Sequence, residues 1–134
     1  MKRKNIAILA LFLLLLLTLA GCGSREEKNT ASYQQITAEE AKSMMEEQPD
    51  AVILDVREQD EYDAGHIPVA ELLPVGTINE ETASSVIPEK GTMVLVYCRS
   101  GNRSKTASQA LVDLGYTQIY EFGGIKDWPY EVER

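Results

Sequence analysis

Two continuous apolar runs of strand length constrain the fold of this chain more than any other feature. The run at 92–97 reads Thr-Met-Val-Leu-Val-Tyr, and the run at 51–55 reads Ala-Val-Ile-Leu-Asp. Strands that are apolar on both sides are typical of sheets buried on both faces, and such sheets are mostly parallel. Parallel strands need crossover connections, so helices are expected to cover this sheet.

Helical signals alternate with these strands. Thr37-Ala-Glu-Glu40 is a capping box that opens a helix to about Glu47. The segment 103–114 predicts a helix that Gly115 ends, with one buried face formed by Ala107, Ala110, Leu111 and Leu114. Shorter elements are predicted at 58–64 (helical turn), 69–75 (strand), 79–86 (helix), 118–122 (strand), 123–124 (tight turn) and 125–130 (terminal turn or short helix). The order predicts an α/β fold with a small, largely parallel sheet flanked by helices on both faces.

The first 21 residues have the composition of an export signal. Lys2, Arg3 and Lys4 precede an apolar run from Ile6 to Ala20. Fifteen residues at helical rise reach roughly 22 Å, less than a hydrocarbon core of about 30 Å. A basic head, a short apolar run and a small-residue exit are typical of a cleaved signal peptide.

The end of that segment, Leu19-Ala-Gly-Cys22, resembles the bacterial lipobox, in which the cysteine receives a diacylglyceryl group and becomes the new N-terminus. The alternative is an ordinary signal peptide beside a chance cysteine. We expect a signal peptide at 1–21, lipid on Cys22, a flexible tether at 22–32 and one domain at 33–134. The domain would be exported and anchored by lipid to a bacterial membrane.

Charge and cysteine content narrow the partners. Without the basic head, the chain carries ten basic and 21 acidic residues, a net charge of −11. This charge disfavours nucleic acid and anionic lipid head groups as partners. With Cys22 acylated, Cys98 is the only thiol left, so no intramolecular disulfide is expected, and a lone thiol in an oxidising compartment is a candidate reactive residue. We expect a monomer.

The loop from Cys98 to Ser104 joins the strongest predicted strand to the strongest predicted helix. Ligands of parallel α/β sheets bind beyond the carboxyl ends of the strands, so Cys98 lies where chemistry is expected. Gly101 and Asn102 tolerate positive φ, so the loop can curl and turn its N–H groups inward. These groups, the helix N-terminus and two arginines would favour the thiolate and lower the pKa of Cys98. The alternative is an inert cysteine in an ordinary β–α loop.

Four segments in order resemble the rhodanese family. The loop matches its Cys-x-x-x-x-Arg-Ser signature. The other three matching segments are Leu54-Asp-Val-Arg57 with Glu61-Tyr62, Gly65-His-Ile-Pro68 with Ala70, and Gly123-Gly-Ile125 with Trp128. The resemblance covers about Tyr33 to Arg134. In two departures, Val69 replaces the family's usual glycine after Gly-His-Ile-Pro, and the short end after Trp128 lacks its Gly-x-Pro.

The resemblance implies a sulfurtransferase that moves sulfane sulfur from a small anionic donor, such as thiosulfate, to cyanide or a thiol through a Cys98 persulfide. It assigns catalysis to Cys98 and Arg103. The residues expected to bind substrate are Arg99, Ser100, Gly101, Asn102 and Ser104. We predict that Arg99 attracts the donor, and that Arg103 holds the loop and stabilises charge on sulfur.

The other marked residues have expected structural roles. Asp55, Arg57 and Glu61 are predicted to form a supporting charged network. His66 is predicted to be structural rather than part of a Cys–His dyad, and Trp128 to belong to the core or a lid. One histidine and one free cysteine are too few for a usual metal site, so no metal or cofactor is expected.

Two other functions stay open. Cysteine-dependent phosphatases use a similar loop, but with five residues between cysteine and arginine where this chain has four, Arg99 to Asn102. The smaller loop suits a terminal sulfur better than a phosphoryl group. A sulfide or persulfide carrier, or a redox sensor at the membrane surface, would use the same loop without significant turnover.

Overall fold

A computed structural model of the chain describes residues 31–134, which form five strands and four α-helices. The predicted signal peptide, lipidated Cys22 and nearly all of the predicted tether lie outside these residues. The strands are β1 (Gln34–Gln35), β2 (Val52–Asp55), β3 (Glu71–Leu72), β4 (Met93–Cys98) and β5 (Gln118–Gly124). The helices are α1 (Ala38–Glu47), α2 (Gln59–Ala64), α3 (Glu80–Val86) and α4 (Asn102–Asp113), with 3₁₀ turns at Val75–Thr77 and Ile125–Asp127.

The strands form one parallel sheet in the order β1-β5-β4-β2-β3. Helices α3 and α4 cover one face, where Leu111 packs with Val94 and Val96 of β4. Helices α1 and α2 cover the second face of the sheet, where Ala41 packs with Leu95 of β4 and Phe122 of β5. The predicted α/β class, with a parallel sheet and helices on both faces, is therefore confirmed.

Local sequence explains where helix α1 begins. The Thr37 side chain accepts a hydrogen bond from the Glu40 N–H at 3.1 Å, and the Glu40 carboxylate accepts one from the Thr37 N–H at 2.7 Å. This is the capping box predicted from sequence, and it satisfies two N–H groups that a helix end leaves free.

Two predictions about the elements around β5 were wrong in part. Gly123-Gly124 was predicted as a tight turn, but both residues continue β5, and Gly124 pairs with Cys98. The buried face of α4 consists of Ser104, Ala107, Ser108, Leu111 and Val112, whereas Ala110 and Leu114 are half-buried. Ser104 and Ser108 are polar and so gave no apolar signal, although both lie on the helical stripe that includes Ala107 and Leu111.

The segment after α2 shows how the chain accommodates Val69. Val69 has a φ of 61°, a left-handed conformation that is costly for a β-branched residue. Its N–H donates to the Glu133 carboxylate at 3.1 Å, and the His66 backbone pairs with that of Glu133 in an antiparallel bridge. Contacts with the C-terminal residues therefore stabilise the left-handed backbone conformation at Val69, a position where rhodanese sequences usually have glycine.

Within residues 31–134, no helix combines the length and apolar character needed to cross a membrane.

Candidate active site

Cys98 lies at the carboxyl end of β4 with its side chain only 1% exposed. The Gly101 N–H donates a hydrogen bond to its sulfur at 3.1 Å, and the thiol lies 3.4 Å from the Ser104 hydroxyl oxygen. The loop thus curls over the sulfur, as the sequence predicted, and presents backbone donors to it.

Two glycines make this curl possible. Gly101 has a φ of 105°, a region that side chains disfavour, and it serves as the N-cap of α4. Gly124 lies directly against the loop, where a Cβ atom would overlap the Arg99 carbonyl. That same carbonyl accepts a hydrogen bond from the Lys126 N–H at 3.1 Å. The end of β5 is therefore a wall against which the loop closes.

The surroundings of the sulfur favour its ionised form. Burial alone would raise the pKa of Cys98, but contacts with the Ser104 hydroxyl and with the N–H groups of Ser104, Gly101 and Ser100 outweigh burial. The pKa of Cys98 therefore lies below its usual value, because these donors stabilise the thiolate more than burial penalises it.

Arg103 forms a two-pronged ion pair with Glu61. Its two terminal nitrogens donate to the two carboxylate oxygens at 2.7 and 2.8 Å. These hydrogen bonds lower the pKa of Glu61 to about 2, and Cys98 is among the charges that raise the pKa of Arg103. Arg103 therefore ties α4 to α2 and also contributes positive potential at the sulfur.

Asp55 and Arg57 form a second ion pair, which is almost fully buried. Arg57 reaches both oxygens of Asp55, and one of its nitrogens also donates to the Gly65 carbonyl at 2.7 Å. The Tyr97 hydroxyl donates to Asp55 at 2.6 Å and accepts from the Ile67 N–H at 3.1 Å. The structure thus divides the three residues of the predicted network into two pairs, with Glu61 on Arg103 rather than on Arg57.

Arg99 is exposed and lines a cavity of about 410 Å³ beside the loop. Lys126, which the sequence analysis did not single out, lines the same cavity. Its only signal was its position just after the Gly-Gly-Ile segment. The two cations give the mouth of the loop positive charge on a strongly acidic domain.

The other predicted substrate-binding residues lie in different settings. The side chains of Ser100 and Asn102 are both exposed. Ser100 contacts the Cys98 sulfur through its backbone N–H group. Ser104 is fully buried beneath the loop, where its hydroxyl contacts Glu121. Sequence reasoning missed Glu121, because an acidic residue in a predicted strand gave no sign that it would point into the core.

His66 has partners other than Cys98. Its ring stacks on Tyr62 with a centroid distance of 3.8 Å, and its two nitrogens contact the Tyr62 carbonyl and the Glu133 carboxylate. Trp128 packs on Phe122 at a centroid distance of 5.6 Å. Both arrangements agree with the structural roles predicted for these residues.

The cradle predicts a reactive thiol in the folded chain. We expect alkylation of Cys98 by iodoacetamide to reach half its maximal rate at a pH below the free-cysteine value of about 8.5, because the loop donors stabilise the thiolate. The rate measured against pH checks this. The same chain in denaturant is the control and should return to the free value. A folded-state midpoint at or above that value would contradict the electrostatic role of the loop.

This domain resembles known proteins in sequence. Residues 37–130 match the family model described as the Rhodanese-like domain. The chain is 36% identical over 97 residues to the thiosulfate sulfurtransferase GlpE of Coxiella burnetii, which covers 72% of this chain and 87% of that protein. It is 36% identical over 74 residues to the thiosulfate sulfurtransferase PspE of Escherichia coli, covering 55% and 70%.

Solved structures show the same relationship. The solution structure of the rhodanese-like domain of the Alr3790 protein from Anabaena superposes with a TM-score of 0.67 at 31% identity, covering 74% of this chain and 77% of that one. The motifs, the fold and these matches agree, and the chain therefore belongs to the rhodanese-like domain family.

Proposed function

We propose that this protein is a sulfurtransferase that moves sulfane sulfur from thiosulfate, or a similar anionic donor, to cyanide or a thiol through a persulfide on Cys98. The observation that carries the proposal is the buried Cys98 sulfur beneath backbone N–H donors. Such a cradle fits a terminal sulfur that carries negative charge. The relatives named as thiosulfate sulfurtransferases support the same activity.

The proposed reaction has two displacement steps. The Cys98 thiolate attacks the outer sulfur of thiosulfate, a sulfur–sulfur bond forms, and the bond to the sulfonate sulfur breaks with its electron pair, so sulfite leaves. The acceptor then attacks the outer sulfur of the persulfide, and the electron pair of that bond returns to Cys98 as the thiolate. No external oxidant or reductant is needed, and a ping-pong cycle results.

The charges around the loop support distinct roles for its arginines. Arg99 and Lys126 line the open cavity, where positive charge attracts a dianion that the net charge of the domain repels. Arg103 is half-buried and fixed by Glu61, so its charge keeps a constant position relative to the sulfur. We therefore assign Arg99 and Lys126 to donor capture, and Arg103 to loop geometry and stabilisation of charge on sulfur.

Mass spectrometry of the folded protein tests the persulfide. We expect thiosulfate to add one sulfur atom, located on Cys98, and cyanide to remove it. Cys98→Ser should show neither the adduct nor turnover, because serine does not form the persulfide. Sulfur that stays on Cys98 in the presence of acceptors would favour the carrier or sensor role. Undiminished turnover by Cys98→Ser would exclude the mechanism.

Steady-state kinetics with thiosulfate and cyanide test the arginine roles. Arg99→Ala and Lys126→Ala should each raise KM for thiosulfate roughly two- to five-fold and weaken its salt dependence, because an exposed charge is worth up to about 1 kcal/mol and is screened by ions. Arg103→Ala should lower kcat roughly 10- to 100-fold, since hydrogen bonds to charged groups contribute about 1.5–3 kcal/mol.

Lys105→Ala is the matched control for these variants, because it removes an equal charge from an exposed position on α4. It should change KM less than either rim variant. If Arg99→Ala and Arg103→Ala change KM and kcat in the same way, the division of roles is wrong.

We further propose that the domain, at 33–134, is exported and held at a bacterial membrane by lipid on Cys22. The support comes from the basic head, the short apolar run and the Leu-Ala-Gly-Cys exit of the first 22 residues. A lipid anchor would place the reactive loop outside the cytoplasm and within a tether's length of the membrane surface.

Cys22→Ser tests the anchor, because serine has no thiol to take the diacylglyceryl group. Expressed in a bacterium with lipoprotein processing, the wild type should sediment with membranes and incorporate radiolabelled fatty acid. The variant should remain unprocessed or be released. Cys98→Ser is the control and should be processed normally. Normal processing and membrane retention of Cys22→Ser would contradict the lipid anchor.

A further inference from the structure

Glu121 is a buried carboxylate beneath the reactive loop, and the sulfur chemistry described above gives it no role. It lies on β5 on the same side as Ile119, which belongs to the apolar cluster under α4, and it is only 3% exposed. One oxygen, Oε1, accepts from the Gly123 N–H at 2.8 Å and contacts the Ser104 hydroxyl oxygen at 2.5 Å. A carboxylate in such a position is costly unless it is partnered.

Ser104 connects this carboxylate to Cys98. Its hydroxyl oxygen lies 3.4 Å from the Cys98 sulfur and 2.5 Å from Glu121. It also lies 3.0 Å from the Gly101 carbonyl and 3.3 Å from the Gly123 carbonyl, and both of these oxygens can only accept. The shortest contact is with Glu121, so the carboxylate is the strongest competitor for the serine hydrogen.

Counting hydrogens along this row of three side chains restricts its states. A hydroxyl carries one hydrogen, so Ser104 cannot donate to the sulfur and to Glu121 at once. The Cys98–Ser104 and Ser104–Glu121 contacts each hold a hydrogen when the thiol donates to Ser104 and Ser104 donates to the carboxylate. Each contact also holds a hydrogen when Ser104 donates to a thiolate and a protonated Glu121 donates to Ser104. When the thiol and the carboxyl are both ionised, one of the two contacts has no hydrogen.

We propose that Cys98 and Glu121 share one proton through Ser104, so that the proton leaving Cys98 moves to Glu121 rather than to solvent. The proposal rests on the proposed function only in taking Cys98 as the nucleophile. Glu121 acts through another residue and is therefore a positioning residue. It adds to the loop a group that takes up the thiol proton as the nucleophile forms.

The transfer balances without any other reactant. The S–H bond of Cys98 breaks, and its proton forms a new O–H bond on Ser104. The original Ser104 O–H bond breaks, and that proton joins Oε1 of Glu121. The products are a thiolate, a serine hydroxyl turned towards the sulfur and a neutral carboxylic acid, and the net charge of the row is unchanged. The Gly101 N–H already faces the sulfur and stabilises the thiolate.

The charged groups that face this row keep their charge while thiols and carboxyls titrate. Arg103 from α4 stays protonated, because its pKa is raised by the Glu61 carboxylate. Glu61, which reaches the site through Arg103, has a pKa of about 2 and stays ionised above that pH. Ser104 and Ser108 are the buried polar side chains of α4, and neither carries a charge. A second ionisation seen in the reactivity of Cys98 is therefore attributable to Glu121.

The rate of Cys98 alkylation by iodoacetamide, followed from acid to alkaline pH without any sulfur donor, tests the shared proton. The wild type should show two steps with a plateau between them, because a fraction of thiolate exists while one proton is shared. Glu121→Gln keeps the shape but cannot take a proton, and Ser104→Ala breaks the row. In both variants the plateau should be lost, and the rate should fall about tenfold per pH unit below one midpoint.

Ser108→Ala is the matched control. Ser108 lies one turn further along the same face of α4, and its hydroxyl is buried with no hydrogen-bond partner among residues 31–134. This variant should keep both steps. The double variant Ser104→Ala/Glu121→Gln should titrate like either single variant, because each already breaks the same row.

Two results would overturn the proposal. One is a single step in the wild type, which decides the question even if a variant fails to fold. The other is a two-step curve that persists in Glu121→Gln or Ser104→Ala with only its midpoints moved, which would indicate a structural role. The alkylation assay needs no thiosulfate, so its result is independent of the persulfide proposal. A two-step curve in a protein that transfers no sulfur would support the shared proton alone, and sulfur transfer with a one-step curve would support the persulfide alone.

Discussion

The close approach of the Arg99 carbonyl to Gly124 is the contact on which the reactive site depends. It sets the end of β5 directly against the loop, with no side chain between them. The pairing of β4 with β5 shifts between Val96 and Cys98, so that Cys98 pairs with Gly124. From that position the loop turns through Gly101 and delivers its N–H groups to the sulfur. A larger residue at position 124 would push the loop outward and remove the donors from the thiolate.

Two ion pairs lie beside the site, of which Asp55–Arg57 is buried and Glu61–Arg103 is partly exposed. Asp55 is held by Arg57 and by the Tyr97 hydroxyl, and Glu61 is held by Arg103 across two helices. Buried ion pairs add little net stability, because desolvation offsets much of their attraction. Removal of one partner is costly, however, so these pairs fix the relative positions of α2, α4 and the strand ends. The sulfur therefore lies in a rigid surround that needs little reorganisation when charge develops on it.

Much of the fold followed from sequence because its signals were local. The apolar runs at 51–55 and 92–97, the Thr37 capping box and the glycine after α2 each act within a few residues. The errors arose where contacts between distant segments decide. Gly123-Gly124 read as a turn, but the second glycine serves the neighbouring loop. Glu121 and Ser104 meet only through packing of α4 on β5, and the Glu61–Arg103 pair joins residues far apart in sequence. The spacing of residues along the chain does not predict such contacts.

A crystal structure of the protein after exposure to thiosulfate would test the central claim, that the loop is built to hold a sulfur atom on Cys98, most directly. We expect one additional atom bonded to the Cys98 sulfur at about 2.05 Å, the ordinary disulfide length. That atom should lie within hydrogen-bond distance of the loop N–H groups, and the loop backbone should be otherwise unchanged. An unmodified Cys98, or an added sulfur that points away from the loop donors, would contradict the account.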